Sequence, residues 1–146
     1  MEQGQIILQV GVKVLLKNKE GKYLLLRRSP EKYPDVKDPW DIVGGRINIG
    51  TPLLENLKRE IKEETQLDLI AEPRLVAAQD ILRPGKPGQS AGRHVVRLTY
   101  VAEIEGKPVL DEDHTDYGWF TIEEMKALGG QLDKYFGELL DREIVS

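Results

Sequence analysis

Cysteine is missing from all 146 residues, which excludes disulfides, thiolate nucleophiles and cysteine-ligated zinc. Long apolar runs are missing too: there is no stretch of 18 or more apolar residues and no basic-then-apolar leader at the start, so neither a membrane span nor a signal peptide is expected. Positive charge is not in excess. With a net charge of −4 and a pI near 5.3, the chain has no global field that would draw it to nucleic acid. These absences favour a cytoplasmic protein that binds neither membrane nor nucleic acid. Internal repeats and low-complexity segments are absent as well. What is present, 40% hydrophobic and 32% charged residues, suits one domain spanning residues 1–146 with a sizeable core.

The chain is organised around Gly44 to Leu67, GGRINIGTPLLENLKREIKEETQL. On a helix, Glu60, Glu63 and Glu64 fall within roughly a third of a turn of one another and share a face. Leu53, Leu54, Leu57 and Ile61 line an adjoining stripe at i, i+3, i+4 spacing, the mark of an amphipathic helix. Thr51 is positioned to be its N-cap, with Pro52 at the first helical position. The acids work against the helix that carries them. Glu60 and Glu64 repel at i, i+4 by about 0.2–0.5 kcal/mol, and all three sit toward the negative end of the macrodipole. Lys58 and Lys62 point elsewhere on the wheel, and Arg59 reaches Glu63 only in the weaker Arg-before-Glu order. A hard divalent cation with oxygen ligands, Mg²⁺, is the better match.

Gly45, then Thr51 and Arg59-Glu60-Ile61-Lys62-Glu63-Glu64-Thr65-Gln66-Leu67 resemble the Nudix box, G-x5-E-x7-R-E-U-x-E-E-x-G-U with U aliphatic. The glycine, the arginine, three acids and both aliphatic positions match. Thr51 departs from the family's Glu and Gln66 from its Gly. The resemblance implies an α/β/α sandwich with a mixed central sheet. It also implies a Mg²⁺-dependent hydrolase, with Mn²⁺ as an alternative ion, acting on the pyrophosphate linkage of a nucleoside diphosphate joined to another moiety. ADP-ribose, nucleoside triphosphates and dinucleoside polyphosphates all qualify as substrates. The Gly44 main-chain carbonyl would join Glu60, Glu63 and Glu64 as metal ligands, with Arg59 orienting the acids. Loss of the family's Glu at Thr51 leaves Arg59 with Glu60 or Glu63. Gln66, if it keeps the left-handed conformation of the family's glycine, costs on the order of 1 kcal/mol.

The remaining elements follow from alternation and turn residues. Ile6–Leu16 and Lys22–Arg28 read as strands joined by the turn Asn18–Gly21, a hairpin. Ser29–Asp38 is a loop, and Pro39–Val43 a short strand running into Gly44-Gly45. Arg74–Leu82 and His94–Ile104 are strands flanking a basic, glycine- and proline-rich loop, Arg83–His94, which either closes over substrate or merely connects. Thr115–Phe120 is a strand, Thr121 and Glu124 form a capping box, and Gln131–Leu140 is a terminal helix with Leu132, Tyr135, Phe136 and Leu139 on one side. Arg28 and Arg46 are candidates for phosphate, each with an ordinary surface role as the plainer reading. Glu112 and Asp113, in an acidic loop, are candidates for general base, whereas His114 reads as surface.

A Nudix-fold module that binds a nucleotide or protein without hydrolysis is the runner-up, supported by Thr51 and opposed by three acids a pure binder has no reason to gather. Isomerase chemistry on the same scaffold is weaker, since it uses residues such as cysteine that are absent here. Pro84 is a weak hint toward ADP-ribose. A homodimer is compatible with the reading but not derivable from it.

Overall fold

The computed structural model describes residues 6–88 and 91–145. Residues 1–5, on which the expectation of no leader rests, Gln89 and Ser90 in the middle of the basic loop, and Ser146 lie outside the described residues. The elements run β1 (Ile6–Lys17), β2 (Tyr23–Arg28), β3 (Trp40–Asp41), β4 (Val43–Arg46), α1 (Leu53–Thr65), β5 (Arg74–Arg83), β6 (Gly92–Glu103), β7 (His114–Phe120), α2 (Ile122–Ala127) and α3 (Lys134–Asp141).

β1, rich in Val, Ile and Leu, is the spine of a mixed sheet ordered β3-β2-β1-β6-β5. One edge pairs in parallel with β6 along its whole length, Ile6↔Gly92 to Lys17↔Glu103. The other edge is divided. β4 takes Gly11 to Val14, and β2 meets β1 only at Lys17↔Tyr23 before leaving to pair with β7 and β3. The expected hairpin is therefore confined to its turn. Pro39–Val43 likewise resolves into two strands on different partners, because Asp41 follows β2 while Val43 follows β1.

Both faces of the sheet are covered, which gives the α/β/α sandwich. On one face Leu57 and Ile61 of α1 pack on Val12, Val14, Leu16, Leu24, Leu26 and Val43. On the other, Met125 of α2 and Phe136, Leu139 and Leu140 of α3 pack on Leu15, Tyr23, Leu25 and Ile42. Thr121 and Glu124 close a reciprocal capping box at α2. α3 starts at Lys134 rather than Gln131, because the Asp133 side chain accepts from the Phe136 N–H as its N-cap and Gly129–Gln131 forms a separate 3₁₀ turn.

α1 departs from expectation at its first turn. Pro52, not Thr51, occupies the N-cap, with no side-chain cap. Leu53 and Leu54 remain 36% and 37% exposed, so only Leu57 and Ile61 of the apolar stripe reach the core. The C-terminus keeps the family geometry in spite of its residue: Gln66 is left-handed at φ 59°, its N–H donating to the Lys62 carbonyl.

Candidate active site

Helix α1 runs beside β4, and that contact assembles one wall of a cleft. Glu64 is buried, and its Oε2 accepts from the Gly44 N–H at 3.1 Å. Gly44 itself has φ 145°, and a Cβ there would lie 2.1 Å from the Val12 carbonyl oxygen, so only glycine allows the approach. The Glu60 carboxylate lies flush on Gly45, where an added Cβ would come within 2.8 Å of Oε2. Burial pushes the Glu64 carboxyl well above its ordinary range; Lys13 opposes this, while the hydrogen bond and charge of Glu60 add to it.

Arg59 gathers the neighbours. Its Nη1 donates to Glu60 at 2.9 Å and stands 3.4 Å from Glu63, while Nη2 donates to the Arg46 carbonyl and to Asn56 Oδ1. Asn56 is fully buried and saturated. It donates to the carbonyls of Thr51 and Pro52 and accepts from the Asn48 N–H and from Arg59. This asparagine, absent from the sequence-level argument, supports the arginine and ties down the loop before α1. Replacing it with leucine leaves the Asn48 N–H and the Thr51 carbonyl without this partner, while the Pro52 carbonyl keeps the backbone N–H of residue 56, and should destabilise by about 2–4 kcal/mol. A loss of unfolding free energy under about 1 kcal/mol, measured by urea titration, would remove Asn56 from that role.

The facing wall comes from β1, β2, β3 and the start of β7, and with α1 it encloses about 330 Å³. Lys13 is buried, donating to Asp41 Oδ2 at 2.8 Å and to the Ile42 carbonyl at 3.3 Å. Arg28 stands 3.5 Å from the same carboxylate and over the Tyr33 ring. Burial works to raise the Asp41 carboxyl, but Lys13, Arg97 and Arg28 together outweigh it and hold the group below its ordinary range. His114 is inside, not on the surface: Nδ1 pairs with Asp111 at 2.7 Å, and Nε2 stands 3.7 Å from Glu64 Oε1. A larger concavity of about 510 Å³ lies behind α1, lined by Lys58, Leu67, Ile70, Asp68 and Glu72 among others, but of its two acids Asp68 is already paired with Lys62.

Of the residues singled out from sequence, Arg28, Gly44, Glu60, Glu63, Glu64 and Asp113 line this cleft. Arg59 stands behind the acids. Glu112 does not line it, for its side chain is 93% exposed beside Lys32. Asp113 faces the cleft while held at 3.0 Å by Lys32. Arg46 lies outside, hydrogen-bonded to Gln9. Lys13, Asp41, Asp111 and His114 were missed. A lysine inside an apolar strand run was the one available signal.

Among the described residues no three acid or imidazole side chains already converge as a metal cage. Glu63 is 56% exposed on Arg59, while Glu60 is held by Arg59 and Glu64 by the Gly44 N–H. The donor chemistry nonetheless fits a hard divalent ion: all ligands are oxygens, and a carboxyl whose charged form is disfavoured by burial and then by a neighbouring acid marks a place short of positive charge. The buried Arg59 Nε finds no acceptor among the described residues.

The model of the NUDIX domain family matches residues 7–140. Similar solved structures include a MutT protein from Methanosarcina mazei Go1, 23% identical at TM-score 0.74, with 97% of this chain and 94% of that one covered. A MutT NUDIX hydrolase from Burkholderia pseudomallei is 25% identical at TM-score 0.70, covering 92% and 97%. A UDP-X diphosphatase is 21% identical at TM-score 0.66, covering 94% of this chain and 63% of that one. A search of curated proteins finds no match.

Proposed function

The chain belongs to the NUDIX family and is a Nudix-type pyrophosphohydrolase, and from that premise we propose that it cleaves the diphosphate bridge of a nucleoside diphosphate linked to a further group, using Mg²⁺. Nudix hydrolases generally use divalent metals. The observation that carries the choice of site is the buried Glu64 carboxyl, held by the Gly44 N–H and set against Glu60 in the cleft. Similarity to a UDP-X diphosphatase supports the substrate class only through the shared fold. A cytoplasmic setting, where nucleotides and Mg²⁺ coexist, belongs to the same proposal.

Glu60 and Glu64, with the Gly44 carbonyl, would hold the principal ion, and Glu63 a second one or its waters. When bound, such an ion supplies charge neutralisation for the phosphate oxygens and acidity for water. The chain's own groups do the rest. Arg59 fixes the carboxylates of Glu60 and Glu63. Arg28, anchored by Asp41, presents a guanidinium to an incoming phosphate. His114, oriented by Asp111, can hold or pass a proton at Nε2 beside Glu64. Asp113 remains the loop candidate for base, and Glu112 would have to turn inward to serve.

Release of nucleoside monophosphate from a panel of ADP-ribose, nucleoside triphosphates, dinucleoside polyphosphates and nucleotide sugars, with and without Mg²⁺, tests the reading. No product from any of them with Mg²⁺ or Mn²⁺ would hand the fold to the non-hydrolytic reading. Gly45→Ala is a finer probe. Its methyl lands on the Glu60 carboxylate rather than on backbone, so kcat should fall on the order of a hundredfold while the melting temperature stays within a few degrees.

A further inference from the structure

Outside the cleft, the sheet carries a track of arginines. Arg46 pairs with Gly11 and Gly11 with Arg97, so these two guanidinium-bearing positions share one row and one face. Arg93, four residues from Arg97 on the same unbulged strand, returns to that face, and Arg83 is its direct cross-strand partner. Asp133 answers Arg97 at 2.7 Å. Among the described residues no carboxylate bonds Arg46, Arg83 or Arg93, and Arg83 and Arg93, both exposed, stand opposite each other with like charge, an arrangement disfavoured across strands.

The track starts just outside the cleft. Gly44 lines the cleft, and Arg46 is two residues further along the same strand, about 7 Å on; Arg93 lies about 13 Å beyond Arg97. We propose that Arg46, Arg97, Arg93 and Arg83 form a second anion subsite for phosphate groups distant from the scissile bridge. The preferred substrate then carries an extended phosphate chain or a second phosphorylated end, and not a neutral sugar. The choice of substrate rests on the hydrolase reading of the cleft; the anion subsite itself does not.

Two measurements separate these. Inorganic tripolyphosphate titrated calorimetrically into the metal-free full chain, in chelator-free buffer of low ionic strength, should bind saturably. Arg83→Gln/Arg93→Gln should weaken it about tenfold, the equivalent of losing one hydrogen bond to a charged group. Glu64→Gln should not weaken it. Equal binding by the wild type and the arginine variant, or binding by neither, overturns the subsite. Should the double variant fail to fold, Arg93→Gln alone is read in the same way. In turnover, the ratio of kcat/KM for diadenosine pentaphosphate to that for ADP-ribose should fall about tenfold in the double variant, through KM. An unchanged ratio overturns the substrate choice. No turnover of either compound would sink the hydrolase reading while the titration still decides the subsite. A short RNA without terminal phosphate that binds more tightly than tripolyphosphate would assign the track to nucleic acid and overturn the proposal.

Discussion

Glu64→Gln should lose about a thousandfold in kcat/KM, about 4 kcal/mol of transition-state stabilisation, without losing any metal-free stability. The two halves have one cause. In the folded chain without an ion, burial and then Glu60 disfavour the Glu64 carboxylate, and only Lys13 and the Gly44 N–H offset them. Glutamine keeps an oxygen for that N–H and removes the charge, so the metal-free melting temperature should equal or exceed the wild type's. With Mg²⁺ the order should invert. The wild type gains about 2.7 kcal/mol at a hundredfold excess over Kd, whereas the variant, lacking a ligand, gains little. Thermal melts with and without Mg²⁺, beside steady-state kinetics, check both halves. Turnover near the wild-type rate, or a variant much less stable than the wild type without metal, would show that this carboxylate is structural rather than a ligand.

A feature of this fold is legible in the sequence to the extent that it is local. The acids of α1, the capping box at Thr121 and the strand β6 were legible because period and spacing within a dozen residues determine them. The glycine pair before α1 was legible for the same reason. Asn56 was not, since its value lies in four bonds to groups that only the folded loop brings together. His114 was read as surface because nothing in Asp-His-Thr reveals that β7 pairs with β2 and so delivers it to Glu64. The division of β1's edge between β4 and β2 was equally hidden. It arises from competition for one strand edge, and a pattern of apolar residues does not say which partner wins. Leu53 and Leu54 failed in the opposite direction: they fit the stripe, but the proline cap starts the helix beyond the edge of the core.

Asp41→Asn should cost about 3–5 kcal/mol, because it leaves the buried Lys13 ammonium without its counter-charge. Asp41 and Lys13 are only 3% and 8% exposed, so water cannot replace the lost partner. The pair also gives the fold an acid limit. Although burial alone would raise the Asp41 carboxyl, Lys13, Arg97 and Arg28 hold it below its ordinary range in the folded chain. The folded state therefore binds its proton less readily than the unfolded state. Its contribution is complete above the ordinary aspartate value of about 3.9 and is lost as pH falls through and below that value. The stability difference between the wild type and Asp41→Asn, followed by urea unfolding from neutral pH downward, should shrink across that window. Lys13→Met/Asp41→Leu removes both charges and should regain most of the lost stability. It should not regain turnover, because Arg28 then loses its carboxylate partner and Glu64 loses the Lys13 charge that favours its charged form. A double variant as unstable as Asp41→Asn, or one that recovers activity along with stability, would show that this pair does not link the core to the cleft.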